Sequence, residues 1–150
     1  MELSRRADYG VRLILELAML PAGTVLSTQE IAARQGLPTL FLAKIVAQLA
    51  LAGLVRTQRG TGGGVILARP AEEINLRQVV EALDGPLALN YCLARPNECY
   101  RQPFCPVREV LAQAQADLVC RLEETDFASL AQRELELRAH LQVVTADPRI

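Results

Sequence analysis

The chain has 150 residues, 51% of them hydrophobic, which is enough for a core without metal or disulfide support. No apolar run approaches the roughly 18 residues of a membrane span, and the start Met1-Glu2-Leu3-Ser4-Arg5-Arg6 lacks a signal-peptide pattern, so a cytoplasmic protein with no membrane partner is expected. The net charge of −1 is unevenly spread: residues 1–70 carry eight Lys+Arg against four Asp+Glu, and residues 71–150 carry eight against 13, as expected of a DNA-contacting half joined to a partner or sensor half.

In chain order, residues 4–19 read as a helix, with Ser4 as N-cap and Ala7, Val11, Ile14, Leu15 and Ala18 at helical spacing. Pro21-Ala22-Gly23 ends it. Ser27-Thr28-Gln29-Glu30 is a capping box, and the short helix it opens closes at Gly36. Pro38 suits the first turn of the next helix. There Phe41, Ile45, Leu49 and Ala52 predict a buried stripe, leaving Thr39, Leu40, Ala43, Lys44 and Ala47 outside it. Two short helices about a tight glycine turn predict a helix-turn-helix, whose second helix enters the major groove.

Leu54–Arg59 and Val65–Arg69 predict two strands joined by the turn Gly60-Thr61-Gly62-Gly63-Gly64. Pro70 stops the second strand, and Asn75 caps a helix over Leu76–Leu83 that ends at Asp84-Gly85-Pro86. Residues 86–106 show neither helical nor strand period. From Val107 to about Glu124 the apolar positions Val107, Val110, Leu111, Ala114, Leu118 and Leu122 predict a helix roughly 27 Å long. An apolar stripe following a complete small domain suggests a homodimer interface, with packing on its own domain as the alternative. A last helix is expected over 125–144, capped by Thr125 or Asp126, and the end Ala146–Ile150 is expected to fray. The fold class is therefore mainly α with a small β hairpin: a winged helix-turn-helix domain over 1–85, a cysteine-bearing loop over 86–106, and a dimerisation helix with a C-terminal helix over 107–145.

Two constellations carry chemistry. In the first, Thr39, Leu40 and Lys44 stand where a recognition helix meets base edges of double-stranded DNA. Arg56, Arg59, Gly60, Thr61, Gly62 and Gly63 stand where a wing grips the backbone, and Arg59 could enter a minor groove. The glycine turn joins two strands and lacks the Gly-Lys-Ser/Thr of a phosphate-binding loop, so a nucleotide site is disfavoured. In the second, Cys92, Cys99 and Cys105 crowd a proline-stiffened loop. Soft thiolates select zinc, copper(I) or iron–sulfur clusters. The spacing is wider than the short Cys pairs of zinc fingers and suits a larger cluster, with zinc or a thiol redox switch as alternatives. Cys120, inside the long helix, reads as a small buried hydrophobe. No catalytic set emerges, so neither an enzyme nor a small-molecule substrate is expected.

Together, Ser4-Arg5-Arg6-Ala7-Asp8-Tyr9-Gly10, Arg59-Gly60-Thr61-Gly62-Gly63-Gly64, Leu67-Ala68-Arg69-Pro70, Gly85-Pro86 and the three cysteines resemble the IscR/NsrR family of bacterial iron–sulfur transcription regulators. The resemblance spans about residues 1–130. It implies a homodimer of winged-helix domains whose operator affinity follows the state of a cluster, and it implies Cys92, Cys99 and Cys105 as ligands. It favours a four-iron cluster, with a two-iron cluster as the alternative. The IscR branch uses a histidine three residues after the last cysteine, where this chain has Arg108. The NsrR branch, which senses nitric oxide, uses an aspartate near the N-terminus that ligates the other subunit's cluster, and Asp8 matches it. Asp8 also suits the first turn of a helix on electrostatic grounds alone. Leu40 and Ala43 replace the base-reading serine and glutamate of IscR, so that operator does not transfer. The resemblance thus implies a repressor that senses nitric oxide, redox state or iron–sulfur status. The alternative is a cluster-free winged-helix regulator acting through thiols or a partner protein. An iron–sulfur scaffold or an enzyme is disfavoured by the wing.

Overall fold

The computed structural model describes residues 2–146, with side chains to residue 141. The first helix, α1 (Arg5–Ala18), starts where Ser4 accepts a hydrogen bond from the Ala7 amide, as its sequence predicts. Helix α2 (Thr28–Gln35) has the expected capping box: Ser27 Oγ accepts from the Glu30 amide at 3.2 Å, and Glu30 accepts from the Ser27 amide at 2.8 Å. These bonds also hold the Glu30 carboxyl below its usual range. Gly36 closes α2 at φ 63°, a left-handed conformation that glycine reaches at little cost. Helix α3 (Thr39–Leu51) follows directly, with Pro38 at its N-cap. The hairpin is β1 (Val55–Gln58) paired antiparallel with β2 (Gly64–Leu67), Val55 opposite Leu67 and Gln58 opposite Gly64. Helix α4 (Leu76–Asp84) begins at Asn75, which forms a second capping box with Gln78. The expected mainly helical fold with one small hairpin is the observed one.

The core draws on α1, α2, α3, β1, β2 and α4, with Leu13, Ile14, Ile31, Leu42, Ile45, Leu49, Val55, Val65 and Val79 almost fully buried. Gly10 is where α1 and α4 come closest: a Cβ there would lie 2.1 Å from Leu83 Cδ1. Leu83 is itself buried, so its methyl would have to shift within a packed core. Gly10→Ala is therefore expected to cost about 1–3 kcal/mol in overpacking. This exceeds the helix-propensity gain of up to about 1 kcal/mol. A lower midpoint in urea unfolding checks it; an unchanged or higher midpoint would contradict the close packing.

Several expectations need correction. The buried stripe of α3 is Leu42, Ile45, Val46 and Leu49, whereas Phe41 is 60% exposed and Ala52 is exposed. The helix is apolar nearly all round, so period alone does not fix its phase. The hairpin carries a third, single-residue rung: Leu26 and Val65 exchange amide–carbonyl bonds of 3.0 and 2.7 Å. Gly64 makes this approach possible, since a Cβ there would lie 2.2 Å from the Leu26 carbonyl oxygen. The 86–106 segment contains one short helix, α5 (Tyr91–Ala94), and a 3-10 turn over Gln102–Phe104.

The long helix, α6 (Pro106–Glu123), lies where expected and packs on α4 and α5. It has no buried residue: Val107 and Val110 are 62% and 70% exposed, and Leu111, Leu118 and Leu122 are half-buried. Cys120 is exposed rather than buried, and its thiol donates to Glu124 Oε1 at 3.3 Å. The Glu124 carboxylate accepting that proton pushes the Cys120 thiol up. Helix α7 (Phe127–Ala146) is capped by Asp126, which accepts from the Ser129 amide at 2.8 Å. It turns back onto α1, and Phe127 enters the core. Of the end expected to fray, Ala146–Ile150, Ala146 closes α7 and residues 147–150 lie outside the described residues. Among the described residues no helix is long and apolar enough to cross a membrane.

Candidate nucleic-acid interface and cysteine loop

Helix α3 turns its core face inward through Leu42, Ile45, Val46 and Leu49 and leaves Thr39, Leu40 and Lys44 exposed. Leu40 is 89% exposed, an apolar side chain with no partner in its own fold. Phe41 stands beside it, also exposed. Such residues at the start of a recognition helix suit contact with thymine methyls. The wing presents Arg56, Thr57 and Gln58 to solvent, while Val55 alone of β1 is buried. Its turn is closed by the Gly63 amide donating to the Gly60 carbonyl at 3.0 Å. Gly60 and Gly62 take φ of 96° and 76°, and a Cβ on Gly63 would lie 2.4 Å from the Gln58 carbonyl oxygen. The glycines are thus demanded by the turn, which leaves Arg59, Gly60, Thr61 and Gly62 at an exposed tip.

Charge pairing separates the cations of the first half into two groups. Arg6 pairs with Asp84, Arg12 with Asp8 and Arg34 with buried Glu16. Among the described residues, Arg5, Lys44, Arg56, Arg59 and Arg69 form no salt bridge. Of these, Lys44, Arg56 and Arg59 are exposed on α3 or the wing. Uncommitted cations beside an exposed helix are what phosphate binding requires. Arg59→Ala is expected to weaken operator binding and to reduce the salt slope by about 0.9, one phosphate's share. Titrations at several salt concentrations check it, and an unchanged slope would remove Arg59 from the phosphate contacts.

The three cysteines are free and half-buried. Cys92 lies in α5, Cys99 in the following turn, and Cys105 at the N-cap of α6. The loop is braced rather than slack. Gln115 Oε1 accepts from the Leu89 amide at 3.0 Å, and Gln102 Oε1 accepts from the Asn97 amide at 2.7 Å. The Tyr91 hydroxyl donates to Glu98, and the Arg95 guanidinium lies 5.2 Å from the Tyr91 ring centre. Asn97 takes φ 75°, the one left-handed non-glycine residue among those described.

Asp8 sits half-buried in the first turn of α1, with Arg12 at 3.0 Å. A single chain does not bring Asp8 and the cysteines together: among the described residues no group of three His, Cys, Asp or Glu side chains could hold a metal ion. In donor chemistry three half-buried thiols fit a soft metal centre, but the loop as folded is not a preformed cage. Arg108, at the position of the IscR histidine, is no ligand, and its Nε is buried without an acceptor. A link foreseen by no local pattern joins the two regions. The Ser4 amide donates to Asp84 Oδ2 at 3.0 Å, and Arg6 lies 3.7 Å from Asp84 Oδ1. The N-cap of α1 is thereby fastened to the last residue of α4, from which the cysteine loop departs.

A helix-turn-helix backed by a hairpin with an exposed cationic tip defines a winged-helix transcription regulator. The match to known proteins is more specific. Residues 3–133 match the Rrf2 family, described as an iron-dependent transcriptional regulator, and the chain belongs to that family. It is 38% identical over 131 residues to a Mycobacterium tuberculosis protein assigned as an HTH-type transcriptional regulator, covering 87% of this chain and 81% of the relative. It is 34% identical over 148 residues to the HTH-type transcriptional regulator NsrR of Shouchella clausii, covering 98% and 99%. Among solved structures it resembles IscR of T. potens, with TM-score 0.72 and 27% identity over 89% of this chain and 88% of that one. It also resembles the oxidized form of Staphylococcus aureus CymR, with TM-score 0.69 and 28% identity over 87% and 96%. These relatives are transcription regulators, not enzymes.

Proposed function

We propose that the chain is a cytoplasmic, homodimeric repressor whose operator affinity is set by an iron–sulfur cluster on the cysteine loop. The observation that carries this reading is the set of three free, half-buried thiols on a braced loop between a winged helix and a helix with an outward apolar face. The identity to NsrR across nearly the whole chain adds to it. On this reading residues 1–85 bind DNA, with Thr39, Leu40 and Lys44 at the bases and Arg56, Arg59, Gly60, Thr61, Gly62 and Gly63 at the backbone. Residues 86–106 carry Cys92, Cys99 and Cys105 as ligands. Residues 107–145 supply the dimer contact, where Val107 and Val110 gain a partner.

When bound, a four-iron cluster supplies iron whose ligation responds to nitric oxide, redox state or iron–sulfur supply. Asp8 of the partner subunit is the proposed fourth ligand. Carboxylate is a harder donor than thiolate and the weaker one for such iron. To ligate, Asp8 would have to give up its ion pair with Arg12. The Ser4–Asp84 hydrogen bond ties the start of α1 to the end of α4, from which the loop departs. Asp8→Ala is accordingly expected to hasten cluster loss under nitric oxide while the anaerobic protein still folds. An unchanged spectrum and an unchanged nitric-oxide response would exclude Asp8.

Anaerobic purification with an iron and sulfide count tests the whole reading. Brown protein with stoichiometric sulfide supports it, and colourless, iron-free protein that binds the operator would overturn it. The second reading is a cluster-free regulator sensing through its thiols or a partner protein. It is favoured by the ungathered thiols and by the likeness to CymR. Its mark is operator binding by iron-free protein that changes on thiol oxidation and ignores nitric oxide.

A further inference from the structure

A cavity of about 560 Å³ lies behind the wing, between the C-terminal end of α1, the turn after it, the hairpin and the 68–72 link into α4. That volume suits a small molecule. Its apolar wall comes from Leu17, Leu20, Ile66 and Leu67, and two guanidiniums, Arg56 and Arg69, line it with a single carboxylate, Glu72. Among the described residues neither guanidinium has a salt bridge or hydrogen bond, and Glu72 pairs with neither. The Arg69 Nε is buried with no acceptor at all. A sequestered donor without a partner is costly, and folded proteins satisfy nearly all such groups. Arg69 is half-buried and lines this cavity, and its guanidinium has no acceptor within the chain among the described residues.

We propose that this cavity is an effector site for a small organic monocarboxylate with an apolar body. Two cations against one anion leave one positive charge to be met, which favours a single carboxylate over a dianion. The planar fork of a guanidinium matches a carboxylate in a bidentate contact. The walls take the hydrocarbon part, which an inorganic anion lacks. The site is independent of the cysteine loop and of any cluster. One cation, Arg56, also belongs to the proposed wing contact. A carboxylate holding Arg56 in the cavity withdraws it from the phosphate backbone, so effector and operator oppose each other, and by linkage the opposition is reciprocal.

Calorimetry and amide chemical-shift mapping with hexanoate, benzoate and inorganic phosphate test this on the intact protein without DNA. The expected result is saturable binding of both carboxylates with shifts at Gly23, Ala68 and Ala71, and no binding of phosphate. Arg69→Gln should weaken binding about tenfold, the loss of one charge-assisted contact. Ala22→Trp, an exposed position at the cavity wall, should block binding while keeping both arginines. Saturating benzoate should weaken operator binding several-fold in the unmodified protein and leave it unchanged in Ala22→Trp. Absence of carboxylate binding, phosphate binding as tight as hexanoate, or full binding by Arg69→Gln would each overturn the site. An operator affinity indifferent to bound benzoate would overturn its role as an effector. Loss of operator binding with the carboxylate site intact would instead count against the DNA-binding reading.

Discussion

Phe127→Ala is expected to lower the unfolding free energy by about 3–5 kcal/mol, the range for removing a large aromatic ring from a closed core. Phe127 has no exposed surface and sits among residues of α1 and the 71–76 segment. Its amide donates to the Ile74 carbonyl at 2.9 Å, and the Leu76 amide donates to the Thr125 carbonyl at 2.9 Å. These two bonds and the ring close the winged domain with a residue that follows it by more than forty positions. The ring belongs to the same closed cluster as Leu13, Leu17 and Ile74, so alanine leaves a cavity inside packed core. For a chain of this length the melting point should fall by roughly 10 °C. Urea unfolding with an unchanged slope checks it. A loss below about 1 kcal/mol would mean that α7 is not part of the domain's core.

Cys92→Ala is expected to have the largest functional effect. On the cluster reading it removes one of three thiolate ligands, so anaerobic protein should lose its iron and its visible colour. The fold should persist. Cys92 is half-buried in a four-residue helix outside the main hydrophobic core. Circular dichroism should therefore be unchanged and the melting point within a few degrees of the parent. What disappears is the difference in operator affinity between loaded and depleted protein. A variant that retains stoichiometric iron would remove Cys92 from the ligands.

Much of the fold is legible in the sequence because its signals are local. Ser27 with Glu30, Gly36, Pro38 and Asn75 each satisfy or terminate a helix end within a few residues, and the glycine cluster at 60–64 permits only a tight turn. Where a feature depends on distant packing, the sequence misleads or is silent. Phe41 and Leu42 are adjacent in an almost wholly apolar helix, and the positions of α1, α2, α4 and β1 decide which one is buried. Leu26 pairs with Val65 through a single rung that no period announces. Phe127 looks like the first apolar residue of an outlying helix, yet it completes the core. Cys120 lies on a helix whose outer face meets solvent in the single chain. The candidate ligands are legible as residue types, but their distances are not, and among the described residues of one chain they do not converge. The cavity behind the wing has no sequence signature, because its walls come from four separate segments.

On the proposed reading, the state of the cysteine loop governs the grip of the wing on DNA. The most direct test is operator affinity on the protein's own promoter, measured anaerobically for cluster-loaded and iron-depleted protein at one salt concentration. A difference of at least about fivefold is expected, the lower end of typical coupling between sites, and it should be lost in Cys92→Ala. Equal affinities for the two forms would contradict it.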